Sequence, residues 1–145
     1  MPLWFEEFSL QKANMNRVGL NETLGIEILE RGEDFLRGRM PVDRRTHQPY
    51  GILHGGASCV LAETLASFAS ALVINPATQS CVGLEINANH LRGVRDGYVT
   101  GTARPLHIGR TTHVWDVRLE SDEGKLTCVA RVTMAILDGA RGRPG

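Results

Sequence analysis

The sequence lacks any excess of charge of one sign. Sixteen Lys and Arg stand against sixteen Asp and Glu, for a formal net charge of zero. A nucleic-acid binder meets phosphates with a basic surface, so this balance argues against that class. No apolar run is read as approaching the roughly 20 residues that span a bilayer, so no membrane partner is expected. The N-terminus, Met1-Pro2-Leu3-Trp4-Phe5-Glu6-Glu7, has neither the basic start nor the apolar stretch of a signal peptide. The expected compartment is the cytoplasm. Cysteine is scarce: Cys59, Cys81 and Cys128 are odd in number, widely spaced and set among apolar residues. Neither a disulfide framework nor a zinc pattern fits, and inert packing thiols are expected. Internal repeats are absent. The 145 residues suit one compact domain over 1–137, opened by a helical segment at 1–20. The Gly- and Arg-rich tail, 138–145, is expected to be disordered.

What the chain does have is one long apolar stretch behind a His-Gly-Gly turn. Gly55 to about Ile74 carries Val60, Leu61, Leu65, Phe68 and Leu72 at helical spacing. Glu63 is the lone charged residue between His54 and Glu85. Steps of three and four from it reach Gly56, Cys59, Ser67 and Ser70, so this spacing predicts a small-residue face around one carboxylate, opposite a bulky face. Such a face lets a backbone, a partner subunit or a ligand come close. On the helix alone, a buried salt bridge or a hydrogen bond to a strand explains Glu63 equally well.

The rest of the chain alternates at the strand period. A short amphipathic helix is expected from Phe8 to about Arg17, ended by Gly19 and Asn21. Leu24–Leu29 and Phe35–Met40 read as a hairpin, and Pro41–Leu53 as a long loop of the kind that is functional or mobile. After Asn75-Pro76, period-two segments cover Gln79–Arg92, Tyr98–Arg104, Thr111–Glu120 and Leu126–Leu137. In the first, Val82, Leu84, Ile86 and Ala88 are assigned one face. Asp96-Gly97, Ile108-Gly109 and Asp122-Glu123-Gly124 read as the joints of a four-strand meander. The expected class is α+β, with a curved antiparallel sheet wrapped around one central helix.

The blocks Met40-Pro41-Val42-Asp43, Gln48-Pro49-Tyr50-Gly51, Leu53-His54-Gly55-Gly56-Ala57, Leu61-Ala62-Glu63, Val82 through His90 (VGLEINANH) and Pro105-Leu106-His107-Ile108-Gly109 occur in that order. With them the chain resembles the hotdog-fold acyl-CoA thioesterases, in the branch of the 4-hydroxybenzoyl-CoA, 1,4-dihydroxy-2-naphthoyl-CoA and phenylacetate-pathway thioesterases. The resemblance covers roughly residues 20 to 137, and its most specific part is His-Gly-Gly, an acid nine residues on, and the VGLEINANH block.

That resemblance implies hydrolysis of aromatic or medium-chain acyl-CoA to the free acid and CoA. It implies Glu63 as nucleophile or general base, and the Gly55 N–H as an oxyanion donor at a helix N-terminus. Gln48 would supply an amide donor, His54 would contact the thioester or orient Gln48, and Ser67 would hold a water. Ser67 has a plainer reading as a hydroxyl bonded to its own helix. Asn89, His90, Leu91 and Arg92, with Leu106, His107, Ile108, Gly109, Arg110 and Thr111, would line the CoA channel, with Val82 nearby. Arg92, Arg95, Arg104, His107 and Arg110 are the expected cationic rim. No cofactor or metal is expected, since CoA is part of the substrate, and an acyl carrier protein could replace CoA. The implied assembly is a homodimer or a homotetramer of two dimers, with Glu63 and the Gln48–His54 loop on opposite chains. Two other readings fit the same fold: a 3-hydroxyacyl-thioester dehydratase, whose His-Phe-Pro-Gly or Asp-x-x-x-x-His patterns this sequence lacks, and a non-catalytic acyl-CoA-binding protein.

Overall fold

The computed structural model describes residues 2–15 and 17–140. Its elements are α1 (Leu10–Met15), α2 (Gly19–Thr23), β1 (Glu27–Arg31), β2 (Leu36–Pro41), α3 (Gly55–Val73), β3 (Gln79–His90), β4 (Tyr98–Ile108), β5 (Thr112–Ser121) and β6 (Leu126–Asp138). The six strands form one antiparallel sheet in the order β1-β2-β4-β5-β6-β3. The sheet curls around α3, which packs on β2, β3, β4, β5 and β6.

Helix α3 buries Ala57, Ser58, Leu61, Ala62, Leu65, Ala66, Ala69 and Ser70, a stripe at steps of three and four. The stripe is mostly small, alanine and serine, because the sheet lies close. Its main projection is Leu65, which is fully buried. Gly38 on β2 and Gly101 on β4 are cross-strand partners beneath it. A Cβ on either would stand 2.6 or 2.7 Å from a Leu65 methyl. The glycine pair is thus the socket that sets the helix on the sheet. Burying such a leucine stabilises the fold by about 1.5–3 kcal/mol.

Several expectations need correction. The bulky residues of α3 do not share a face: Leu61 and Leu65 enter the core, while Val60 and Phe68 stand beside Glu63. Ser70 lies on the core side, away from Glu63, fully buried. It accepts a hydrogen bond from Trp115 Nε1 at 2.8 Å and bonds His113 Nδ1 at 2.9 Å. Helix α3 also bears on the reading that no run could span a bilayer. It has 19 residues with mean hydropathy 1.5, long and apolar enough by composition. The sheet packed against it accounts for that apolarity.

Strand β3 is not part of a meander. Only β4-β5-β6 is; β3 lies beyond β6, as the sheet's edge. Its link to β4 is no hairpin: Leu91 to Gly97 crosses the sheet end, with Val94 buried and its carbonyl accepting from Leu53 N at 2.7 Å. Nor does β3 keep one face. Gly83 pairs with Met134 and Glu85 with Thr133, leaving Leu84 as a bulge that is 64% exposed. Cys81 therefore packs on the core before the bulge, and Ile86 and Ala88 after it. Val82 and Leu84 are not in that set.

Strand β4 runs past its expected end at Arg104, through Pro105, to Ile108. The proline is tolerated because β2 pairs no further than Ala103, so that edge of β4 needs no donor, and a bulge follows at Pro105–His107. Near the N-terminus α1 is shorter than expected and buries no residue; Asn16, within the expected helix, lies outside the described residues. Asn14 ties α1 to β1 through both Ile28 main-chain groups at 2.8 Å. Gly19 and Asn21 do not end a helix but belong to α2. Leu24 and Ile26 are buried as the alternation implied, yet Gly25 between them has φ +69°, so β1 starts only at Glu27. At the other end Asp138 pairs with Gln79, and Gly139 N donates to Thr78 O at 2.7 Å, so chain order extends into the expected tail. Residues 141–145 of that tail lie outside the described residues.

Candidate active site

The turn into α3 builds the first half of the site. His54 is the N-cap, in extended conformation, and its Nδ1 accepts from Gly56 N at 2.8 Å. Its carbonyl accepts from Ala57 N at 3.0 Å and Ser58 N at 3.2 Å. The Gly55 N–H, by contrast, donates to nothing among the described residues. It is an orphan donor at the positive end of a long helix dipole. Gly55 is also pressed by β3: three ring atoms of His90 lie 3.0–3.2 Å from where a Cβ would stand.

Gln48 joins this half through a tight loop. Its main chain is closed by Gln48 N to Ile52 O at 2.8 Å and Gly51 N to Gln48 O at 2.9 Å. Tyr50 N donates to the Gln48 side chain. A main-chain N–H needs an oxygen, so the amide oxygen faces Tyr50 and the NH2 group is left as a donor. Gln48, Gly55, Ser58, His90, Leu91 and Arg92 line a cleft of about 400 Å³.

Glu63 belongs to a second cavity. It lines a groove of about 530 Å³ with Leu20, Asn21, Val60, Ser67 and Phe68. It makes no ion pair and no hydrogen bond among the described residues, so the structural salt bridge weighed from sequence is not there. Its Oε1 lies 2.2 Å from where a Cβ on Gly83 would be, so the carboxylate rests on bare β3 backbone. Ser67 is beside it, but its hydroxyl donates to Met134 Sδ at 3.6 Å rather than to its own helix. Burial, and then the charge of Glu63, push the Cys59 thiol above its ordinary pKa, which disfavours a thiolate there.

Within one chain the two halves stay apart. Gly55 and Glu63 are eight residues apart on a regular helix, about 12 Å along its axis. The cleft and the groove share no residue. Other expected site residues join neither cavity: Val82 and Asn89 on β3, and Leu106, His107, Ile108, Gly109, Arg110 and Thr111 around the β4–β5 turn. Leu106 and Ile108 are 55% and 39% exposed there. Arg92 reaches the cleft, and Arg95 lines an adjoining hollow with Arg92 and Lys125. Arg104 does not belong to that rim. It stacks over Phe35 and pairs with Asp34 at 3.1 Å.

The sequence reading missed Leu20, Asn21 and Gly83. Gly83 carried a signal, because a glycine inside a strand marks close approach of another group. Leu20 and Asn21 carried none, sitting in a five-residue helix far from Glu63 along the chain.

The sequence pattern of the thioesterase superfamily matches residues 50–128, the span holding His54, Gly55, Glu63 and β3 to β5. The chain belongs to that superfamily. This thioesterase is 45% identical over 139 residues to the 1,4-dihydroxy-2-naphthoyl-CoA hydrolase of Escherichia coli K12, covering 93% of this chain and 99% of the relative. It is 44% identical over 136 residues to the proofreading thioesterase EntH of Cronobacter turicensis, covering 93% and 98%. The crystal structure of a mutant thioesterase from Pseudomonas aeruginosa matches with a TM-score of 0.92 and 51% identity, covering 94% of this chain and 99% of that one. The thioesterase has the hotdog fold and is a thioester hydrolase.

Proposed function

We propose that this thioesterase hydrolyses acyl-CoA thioesters with aromatic or medium-chain acyl groups, in a site assembled from two chains. The observation that carries the reading is the pair of groups on α3 unengaged among the described residues: a carboxylate with no ion-pair partner, and an N–H with no acceptor. Water adds across the C–S bond, giving the free acid and the CoA thiol. Attack on the carbonyl carbon puts negative charge on its oxygen, and the Gly55 N–H receives that charge. Glu63 either attacks the carbon itself, expelling the thiolate and leaving a mixed anhydride that water opens, or takes a proton from the attacking water. The Gln48 amide is a second donor, and His54 holds the turn. The same chemistry serves a carrier-protein thioester, whose scissile bond is identical.

The free edge of β3 supports the two-chain reading. Along α3, Gly55 faces His90 and Glu63 faces Gly83, so helix and strand run oppositely. Antiparallel pairing of two β3 edges about a twofold axis sets the His90 end of one strand beside the Gly83 end of the other, since adjacent strands lie about 4.8 Å apart. The cleft of one chain then meets the groove of its partner, and the 12 Å gap within a chain no longer matters. A dimer is the minimum assembly, and two dimers give the tetramer.

The test is thiol release from benzoyl-CoA, followed with a thiol reagent. Glu63→Ala is expected to slow it by at least about 100-fold, as for loss of a nucleophile or base. An unchanged rate removes Glu63 from the reaction.

A further inference from the structure

The loop that carries Gln48 is held to the 91–97 crossing at two adjacent points. Leu53 N donates to Val94 O at 2.7 Å, and His47 Nε2 bonds Arg95 O at 2.8 Å. A carbonyl oxygen only accepts, so Nε2 carries a proton and donates it. His47 and Leu53 are themselves paired, as an isolated antiparallel bridge that closes the turn between them. One rung therefore grips two consecutive carbonyls of the crossing. Ile52 fills the space beside it: a Cβ on Gly93 would stand 3.3 Å from Ile52 Cδ1. The two parts joined are two walls of the cleft. Gln48, Ile52, Leu53 and Gly55 line it from one side, and Leu91, Arg92 and Gly93 from the crossing. Among the described residues, His47 makes the one side-chain hydrogen bond between residues 47–56 and the rest of the chain. Its neighbour Gln48 has its amide oxygen turned to Tyr50 N, so the direction of the NH2 donor follows the main chain that His47 pins.

We propose that His47 is a positioning residue for thioester hydrolysis: its Nε2–H, anchored on the Arg95 carbonyl, fixes the Gln48 amide relative to the Gly55 N–H, so that both donors meet one carbonyl oxygen. His47 itself lines no part of the cleft and acts through Gln48. Donors aimed at a developing charge work because they need no rearrangement when it forms, and an unpinned loop loses that advantage. The inference rests on the reading of Gln48 and Gly55 as donors to the thioester.

The experiment measures kcat and KM for thiol release from benzoyl-CoA in the wild type, His47→Phe, His47→Asn and His47→Gln, each with Gln48 present and with Gln48→Ala. Phenylalanine keeps the ring and loses the donor. Asparagine ends short of the carbonyl, while glutamine carries an N–H as far along the side chain as Nε2. His47→Phe and His47→Asn should lower kcat by about 10- to 100-fold, since a misplacement near 1 Å costs about 100-fold. KM should stay within about threefold, because the lost contact is made in the transition state. His47→Gln should restore most of kcat. With Gln48→Ala in place, His47→Phe should cost nothing more, because the group it positions is gone. A purely structural role would instead lower the melting temperature and multiply the two losses. If His47→Phe does not fold, His47→Asn carries the comparison. Wild-type kcat in the phenylalanine and asparagine variants overturns the inference, as does a glutamine variant as slow as they are, or an undiminished loss in the Gln48→Ala background. In each of these cases the functional reading stands. A wild type that releases no thiol overturns the functional reading, a Gln48→Ala variant as fast as the wild type removes Gln48 from it, and the inference falls with either.

Discussion

Glu63 and Gly83 occupy one space. The carboxylate oxygen of the first lies 2.2 Å from where the smallest side chain would put a carbon on the second. The contact joins the central helix to the edge strand at the position where the reaction is proposed to occur. Gly83→Ala should therefore displace the carboxylate, the flexible end of a long side chain, while leaving the backbone in place. A misplacement near 1 Å costs about 100-fold in rate. The expected result is a kcat lower by about that factor, with an unchanged melting temperature. Equal kcat in the variant would mean that the carboxylate works from elsewhere.

Leu65 in the Gly38–Gly101 socket sets how close that helix lies. Leu65→Ala leaves a hole between two glycines that have no side chains to collapse into it. Truncating a buried leucine costs about 2–5 kcal/mol, and the absence of neighbouring side chains puts this site at the upper end. Urea unfolding measures it, and a loss below about 1 kcal/mol would deny the socket its role.

His113 makes stability depend on pH. Burial holds its pKa below the ordinary 6.5, with the nearby His107 adding to the effect. The folded state therefore keeps it neutral, hydrogen-bonded to Ser70 through Nδ1, under conditions where the unfolded chain binds a proton. Stability rises with pH wherever the unfolded state holds more protons, so this contribution is complete above 6.5 and is lost as pH falls below it. His113→Gln should flatten the stability profile below that point. An unaltered slope would assign the acid sensitivity to other groups.

Much of this arrangement could be read from residue order, for reasons that differ by element. Helix α3 was legible to within a residue because its apolar spacing and His-Gly-Gly start are local signals. Strands β5 and β6 were legible for the same reason, with tight turns at both ends of β5 and at the start of β6. The place of β3 was not, because a period of two identifies a strand without naming its neighbour. The bulge at Leu84 was hidden by an alternation that continues through it in sequence but not in space. In the candidate site, Glu63 stood out as the one charge on an apolar helix and Gly55 as the start of that helix, while the role proposed for each came from the family resemblance. Their separation into two cavities depends on how far a helix rises per residue, and only the built structure brings α2 and Asn21 beside Glu63.

The sharing of the site between chains is open to a direct measurement. Gly55→Pro removes the proposed oxyanion N–H and pushes aside the His90 ring of the same cleft while keeping α3, since proline suits a first helical position and His54 already has the extended conformation that a following proline requires. Glu63→Ala removes the carboxylate. Each variant alone should lose at least about 100-fold in thiol release. Refolded together, random pairing makes half the dimers mixed, and each mixed twofold dimer holds one intact site and one doubly defective site. The account predicts recovery of about a quarter of wild-type activity. A mixture that reassembles to the wild-type oligomer yet stays as inactive as its parents would contradict it.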